Sequence, residues 1–185
     1  MFRSLAAVLA NHPARLQIIA GVSPEARALL GDPPLPTAWL DARLINEVFE
    51  AMRRLLGDDE LRRVNLHAVD RGVSPLVRGA VERLLRVFGA SPATLLSKFD
   101  RIAGTTSRGV AYRYESHGET SGRFDIEYPA LSDVPLGPFV ATGGALAMIF
   151  EICAVQGTID GPAFVPNGRN NRVRYEVSWQ VRRKK

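Results

Sequence analysis

The sequence predicts an α+β domain in which a helical half precedes a small antiparallel sheet, with the order β-β-α-β-β in the second half. Three Ser-Pro pairs, beginning at Ser23, Ser74 and Ser91, each open an apolar stretch with helical spacing. After residue 105 the spacing of apolar residues changes to two, on both sides of one long apolar helix. Serine before proline is typical of helix N-termini, and alternation is typical of half-buried strands. The order of these signals therefore predicts the fold class.

Composition is consistent with one globular domain. The 185 residues are 46% hydrophobic and 23% charged, which argues against disorder and allows a substantial core. Within the single domain, we expect an N-terminal helical segment with a proline-rich connector over 1–36. A helical half over 37–104 and a β-β-α-β-β half over 105–185 follow.

Cysteine content and hydropathy predict a cytoplasmic protein. The chain has one cysteine, Cys153, which cannot form an internal disulfide. The N-terminal apolar stretch ends at Asn11 without a clear cleavage site for a secretory signal. Prolines and glycines interrupt the long uncharged segment 134–150, which predicts a buried helix and no membrane span.

The first half predicts helices with recognisable ends. Thr37 follows the proline cluster and is predicted to cap a long helix that Gly57 terminates. Asp58 opens a further helix that should run to about Arg71. The apolar stripe of the long helix comprises Leu40, Leu44, Ile45, Val48, Phe49, Met52, Leu55 and Leu56.

The other two Ser-Pro pairs predict two more helices. Ser74 caps the first, with Pro75 at its first position and Gly89 at its end. Ser91 caps the second, which Gly104 should end. Their predicted buried residues are Leu76, Val77, Ala80, Val81, Leu84, Leu85 and Phe88, and then Leu95, Leu96, Phe99 and Ile102.

The second half predicts four strands and one helix. Alternation over 108–116 and 123–128, separated by a glycine-rich turn, predicts a hairpin. An apolar helix near 139–155 follows, and then strands near 158–165 and 173–181.

No catalytic or metal-binding motif is present. The three histidines are scattered, so no zinc or iron site can be assembled from their spacing. His67 is expected to be a half-buried structural residue with Asp70 as its nearest partner. We expect His117 to be solvated in the hairpin turn, and His12 to lie in a terminal loop. Cys153, among apolar neighbours, should be an inert packing residue.

One hairpin combines arginines with tyrosines. Arg108, Tyr112, Arg113, Tyr114 and Arg123 are placed where they could hold an anionic or planar ligand or a partner protein. The alternative is a solvated outer face opposite a packed inner one. Trp39 and Trp179 fit either a core or an interface.

Net charge raises a nucleic-acid hypothesis. The chain carries a formal charge of +5, and residues 182–185 contribute four of its positive charges. A basic tail attracts any polyanion, although such tails are more often solvated termini.

The segment 124–139, with the helix that contains Gly143 and Gly144, resembles the haem-nitric-oxide/oxygen-binding domain and its relatives, including the 4-vinyl-reductase-type sensor domain. The chain also resembles an uncharacterised paralogous family of about this length from myxobacteria. The resemblance covers roughly 37–179 and implies a small-molecule sensor whose ligand would lie between the helical half and the sheet.

The residues that hold haem in that family are not retained. Aligning Tyr128 with the tyrosine of the family's Tyr-x-Ser-x-Arg motif places Ala130 at the serine and Ser132 at the arginine. Aligning Tyr114 instead keeps a serine, Ser116, but places Gly118 at the arginine.

The axial ligand is also missing. The resemblance implies a histidine about thirty residues before the tyrosine, where the chain has the segment 98–101 and no histidine. Iron without a strong axial ligand would be poorly held. We therefore expect no cofactor.

These observations predict a non-enzymatic signalling or regulatory module that binds a small apolar ligand or another protein. The alternatives are a protein-interaction module with a filled core and, less favoured, a nucleic-acid binder. A homo-oligomer is compatible with each of these alternatives. If a ligand pocket exists, its predicted lining residues are Trp39, His67, Phe99, Tyr112 and Tyr128.

Overall fold

The computed structural model describes residues 2–35, 38–72, 91–104 and 107–180, which fall into two compact units. Unit 1 comprises 1–72 with 135–145, and unit 2 comprises 73–134 with 146–185. The helix predicted to begin at Ser74, the residue Thr37 itself and the basic tail lie outside the described residues.

Three short helices open unit 1: α1 (Phe2–Leu9), α2 (Arg15–Ala20) and α3 (Pro24–Gly31). As predicted, Ser23 caps α3 and Pro24 occupies its first turn. The Ser23 hydroxyl accepts a 3.3 Å hydrogen bond from the Ala26 N–H, which satisfies one of the backbone donors that a helix start leaves unpaired.

Helix α4 spans Ala42–Leu56, and its start corrects the prediction of a cap at Thr37. Asp41 is the capping residue, and its carboxylate accepts a 2.9 Å hydrogen bond from the Arg43 N–H. Residues 38–40 precede the helix and are exposed, so Leu40 is not part of the buried stripe. Leu55 is also exposed, at 47%.

Gly57 ends α4 with a φ of +82°, a conformation that favours glycine. Helix α5 (Asp58–Gly72) then begins with three acidic residues in its first turn, and its predicted extent is confirmed. The core of unit 1 is apolar and continuous, and includes Leu5, Leu9, Ile18, Val22, Ala26, Leu30, Val48, Phe49, Met52, Leu61, Val64 and Val140.

Helix α8 (Leu136–Ile152) contributes its residues up to Ala145 to unit 1. A Cβ on Gly137 would come within 2.6 Å of the Glu50 backbone nitrogen on α4, and one on Gly144 would overlap the Arg62 carbonyl oxygen on α5. The two glycines therefore allow α8 to lie directly against the backbones of α4 and α5.

Unit 2 begins, among its described residues, with α6 (Pro92–Ser97) and α7 (Phe99–Ala103). The predicted Ser91 cap is confirmed, since its hydroxyl accepts a 3.1 Å hydrogen bond from the Thr94 N–H. The sequence predicts one helix here, whereas the structure divides it at Lys98. Leu95 and Leu96 are buried, as predicted.

The sheet comprises β1 (Ala111–Ser116), β2 (Ser121–Glu127), β3 (Gln156–Phe164) and β4 (Arg172–Gln180). All neighbouring strands are antiparallel, in the spatial order β1-β2-β4-β3. The predicted hairpin, the β-β-α-β-β order and the α+β class are confirmed.

Side chains alternate along each strand, and the register of the strands aligns them into two faces of the sheet. The inner face carries apolar and aromatic side chains, namely Tyr112, Tyr114, Phe124, Ile126, Val173, Tyr175, Val177 and Trp179. The charged face carries the alternate residues, namely Arg113, Glu115, Arg123, Asp125, Glu127, Asp160, Arg172, Arg174 and Glu176. The two-residue period of β4 thus arises because its alternate side chains lie on the packed inner face and on the charged face.

Candidate functional site

An aromatic cluster on the inner face of unit 2 is the strongest candidate site. Phe99 on α7 makes edge contacts with Tyr112 on β1 and Phe124 on β2, with ring centroids 5.1 and 5.2 Å apart. Tyr112 and Phe124 lie 6.2 Å apart. The rings meet because Tyr112 and Phe124 share the face of the hairpin on which α7 packs.

The hydroxyl groups of Tyr112 and Tyr128 are the polar groups of this otherwise apolar cluster. The Tyr112 hydroxyl lies 3.3 Å from the Ser107 hydroxyl, and burial raises the pKa of Tyr112. Burial, and next the neighbouring Tyr112, raise the pKa of Tyr128 well above its usual range. Both phenols are therefore neutral at physiological pH.

A buried asparagine fixes the loop that begins with Tyr128. The Asn171 side-chain amide donates to the carbonyl oxygens of Tyr128 at 3.1 Å and Leu131 at 2.9 Å, and its backbone carbonyl accepts from the Tyr128 N–H at 2.9 Å. Asn171 is only 2% exposed. Nothing in the sequence indicates this role, because a turn rich in asparagine and glycine does not show which asparagine side chain is buried.

The residues predicted to line a ligand pocket fall into two groups. Phe99, Tyr112 and Tyr128 converge in unit 2 at the aromatic cluster. Trp39 and His67 belong to unit 1, where Trp39 is 53% exposed and His67 lies on an exposed position of α5. The expectation that His67 is half-buried is therefore wrong, because His67 lies outside the buried stripe of α5, which consists of Leu61, Val64, Asn65 and Ala68.

The predicted anion-binding arginines lie apart from the tyrosines of the same hairpin. Arg113 and Arg123 occupy the charged face, whereas Tyr112 and Tyr114 occupy the inner face. Arg108 precedes β1. Alternation along a strand separates neighbouring residues in this way, so the described arrangement is a charged outer face opposite a packed inner one.

Carboxylates accompany the arginines across the charged face. Asp125 is buried and accepts two hydrogen bonds from the Arg174 guanidinium, at 2.9 and 3.2 Å. This bond with Asp125 raises the pKa of Arg174. Arg172 lies 3.6 Å from Asp125, and Arg123 pairs with Glu115. Positive and negative side chains thus alternate across this face. Nucleic-acid binding, which requires an excess of positive charge facing the phosphates, stays a prediction that this arrangement does not favour.

The other two histidines each lie near a carboxylate. The His12 Nδ1 accepts from the Ala14 N–H at 3.2 Å, and its Nε2 lies 3.4 Å from the Glu60 carboxylate on α5. His117 is exposed in the hairpin turn, as predicted, 3.9 Å from Glu176. Among the described residues, no group of three or more His, Cys, Asp and Glu side chains could hold a metal ion.

Cys153 and Trp179, the remaining residues singled out in the sequence, are buried. Cys153 is buried, and burial raises the pKa of its thiol to about 11, so the predicted burial of this cysteine is confirmed. Trp179 is buried as well. A cavity of about 10 Å³ in unit 1, lined by Ala6, Leu9, Arg15, Ile19 and Leu30, has room for about one water molecule.

Within the described ranges, no helix combines the length and hydropathy that a membrane crossing requires. No protein-family model and no curated protein matches the sequence.

Solved structures do match. The unliganded Fe(II) H-NOX protein from K. algicida has a TM-score of 0.66 at 12% identity, covering 100% of this chain and 97% of that one. An oxygen-binding H-NOX domain related to soluble guanylate cyclases, in its oxygen complex, has a TM-score of 0.56 at 10% identity over 98% and 96% of the two chains. The IWP-051-bound H-NOX from Shewanella woodyi has a TM-score of 0.51 at 13% identity over 100% and 95%. The predicted topology is confirmed, and this chain has the fold of the H-NOX domains.

Proposed function

We propose that this chain is a non-enzymatic regulatory module on the H-NOX fold that works without haem and binds a small apolar ligand or a partner protein. The observation that carries the proposal is the position of Phe99. The resemblance implies an axial histidine near 98–101, and at that place Phe99 supplies an aromatic ring to the cluster with Tyr112 and Phe124. Aromatic side chains of this kind are the groups that recognise an apolar ligand.

The residues present do not fit haem. All three histidines are described, and each lies elsewhere: His12 at Glu60, His67 exposed on α5, and His117 in the hairpin turn. If Tyr128 stands at the family's tyrosine, as the resemblance implies, Ala130 and Ser132 stand at its serine and arginine, and both are exposed and offer no cation to a propionate. In the other register, on Tyr114, Gly118 stands at the arginine and offers none either. Haem therefore has no part in the proposed function.

The absence of enzymatic activity is part of the same proposal. The single thiol is buried with a raised pKa, which suppresses the nucleophilic thiolate. The buried acid Asp125 is held by Arg174 in an ion pair, so it is committed to the sheet and is not a base in a cleft.

Absorbance and native mass spectrometry test the proposal together. We expect the purified protein to lack a Soret band, and titration with haemin to leave the spectrum of free haemin unchanged. A stoichiometric shift of the Soret band would overturn the claim that haem is not used.

The same native mass spectrum separates the two kinds of partner. A non-covalent adduct that is lost on denaturation, and lost from a Phe99→Ala variant that retains the wild-type circular dichroism spectrum, identifies an apolar ligand at the aromatic cluster. Leu16→Ala is the matched control, because that side chain is 77% exposed in unit 1.

A protein-interaction module with a filled interior is the second candidate. It is favoured by the close contacts among Phe99, Tyr112 and Phe124, which fill the space between α7 and the hairpin. A native mass spectrum that shows only the mass of the chain, without an adduct, at every stage of purification supports this candidate over the ligand sensor.

A further inference from the structure

The two edges of the sheet differ in how open they are to another strand. β3 forms one edge, and it carries Pro162 and a register irregularity between Asp160 and Ala163. Proline and bulges are devices by which edge strands avoid pairing. β1 forms the other edge with Ala-Tyr-Arg-Tyr-Glu-Ser, which contains no proline, no glycine and no bulge.

Backbone geometry determines which groups of β1 face outward. The His117 N–H donates to the Ser121 carbonyl oxygen at 3.0 Å, which makes these residues a hydrogen-bonded pair of the hairpin. Because such pairs alternate along an antiparallel ladder, Arg113 and Glu115 also bond inward to β2. Tyr112, Tyr114 and Ser116 therefore direct their N–H and C=O groups to the open edge, where the described residues offer no partner strand.

If the β1 strands of two copies pair antiparallel, the charges of Arg113 and Glu115 favour one register. Antiparallel pairing centred on Tyr114 places the outward groups of Tyr112 opposite those of Ser116, as hydrogen bonding requires. It also places Arg113 of each copy opposite Glu115 of the other. These form non-hydrogen-bonded pairs, in which facing Cα atoms approach to about 4.5 Å and side chains interact most closely.

The neighbouring registers are disfavoured. A shift by two residues in one direction places Arg113 opposite Arg113, and the opposite shift places Glu115 opposite Glu115. Like charges directly opposite each other are destabilising. A shift by one residue would leave outward and inward backbone groups mismatched.

We propose that a second copy of this chain docks on the β1 edge, so that two β1 strands pair antiparallel about Tyr114 and the two sheets become continuous. Glu115 would then lie between Arg123 of its own chain, with which it is already paired, and Arg113 of the other. The inner-face tyrosines of the two strands would extend the apolar surface across the junction.

Sedimentation velocity from about 1 µM to 1 mM tests the proposal. We expect wild-type protein to dimerise within this range, and both Arg113→Glu and Glu115→Arg to raise the dimer dissociation constant by roughly tenfold or more, because each places like charges opposite one another twice. Asp160→Arg, an equal charge change on the other edge strand, should leave the constant unchanged.

Mixing the two variants provides the decisive measurement. Arg113→Glu and Glu115→Arg chains are complementary at both charge pairs, so an equimolar mixture should dimerise at concentrations at which each variant alone is monomeric. Circular dichroism checks folding. If a charge-reversed variant fails to fold, Arg113→Gln and Glu115→Gln replace it, and each should weaken the dimer by a smaller factor.

Three outcomes would overturn the proposal: a wild-type protein that stays monomeric across the range, a dimer that survives both single variants, or a mixture that stays monomeric.

Discussion

The carboxylate of Glu50 accepts a 2.8 Å hydrogen bond from the backbone N–H of Gly137, so that a side chain of α4 caps the N-terminus of α8. The same carboxylate receives two 3.2 Å hydrogen bonds from Arg53. Burial alone would raise the pKa of Glu50, but the hydrogen bonds from Arg53 and Gly137 outweigh it, and the net pKa is lowered from 4.5.

Glu50→Gln should therefore reduce the free energy of unfolding by about 1 kcal/mol at pH 7, because it removes a negative charge from a helix N-terminus and from Arg53. Since folding lowers the pKa, the contribution is fully present above about pH 4.5 and is lost as pH falls through the folded-state pKa. Urea unfolding at pH 7 and pH 3 measures this. A difference between variant and wild type that is equally large at both values would contradict the assignment.

Gly144 should not tolerate a side chain. Gly144→Ala places a Cβ on the Arg62 carbonyl oxygen and should cost about 3 kcal/mol, more than the gain in helix propensity from alanine. Gly31→Ala is the matched control, because nothing lies within 4 Å of that site at the end of α3. Thermal unfolding of both variants measures the effect, and equal stabilities would contradict the close packing of α5 and α8.

Asp125 should be the most sensitive residue of the charged face. Asp125→Asn keeps the shape but removes the charge that Arg174 and Arg172 share, and we expect a loss of about 1–2 kcal/mol because the arginines stay partly solvated. The exposed Asp160 supplies the control, since Asp160→Asn should change stability by less than about 0.5 kcal/mol. Chemical denaturation compares the two, and an equal loss would show that burial of the ion pair is immaterial.

Cys153 should react slowly in the folded protein. With a thiol pKa of about 11, the thiolate fraction at pH 8 is roughly 0.1%, against about a tenth for a thiol with the ordinary pKa of 9.0. Reaction with Ellman's reagent should be at least about a hundredfold slower in buffer than in urea. The Cys153→Ala variant provides the blank, and equal rates in both solvents would contradict burial.

The raised thiol pKa also predicts a weak alkaline instability. Folding favours the neutral thiol, so this contribution to stability is complete below pH 9.0 and declines as pH rises towards about 11. Comparing Cys153→Ala with wild type between pH 8 and pH 11 isolates it. The stability of wild type relative to the variant should fall over this interval.

Local signals in the sequence were sufficient for element ends and for the alternation of the strands. Ser23 and Ser91 cap their helices through N–H groups three residues away, and Gly57 ends α4 by its own backbone conformation. Because each interaction lies within a few residues of chain, its residue types predict it. The confirmed β-β-α-β-β order follows from the same local periodicities.

The site was only partly predictable. Phe99 and Tyr112 were expected to line it, and their rings do meet, but Phe124 and the supporting Asn171 were missed. Because the tyrosines and arginines of the hairpin are adjacent in sequence, the sequence suggests that they could act together. Strand alternation places them on opposite faces instead.

The sequence by itself therefore determined the fold class, the caps at Ser23 and Ser91 and the two faces of the sheet, since these depend on contacts between residues a few positions apart. Only the tertiary structure decided that Glu50 caps a helix 87 residues away, that Asn171 holds the loop after Tyr128, and that Leu40 and Leu55 face solvent. These outcomes depend on which surfaces pack together, and that choice follows from the summed burial of many side chains that local periodicity does not encode.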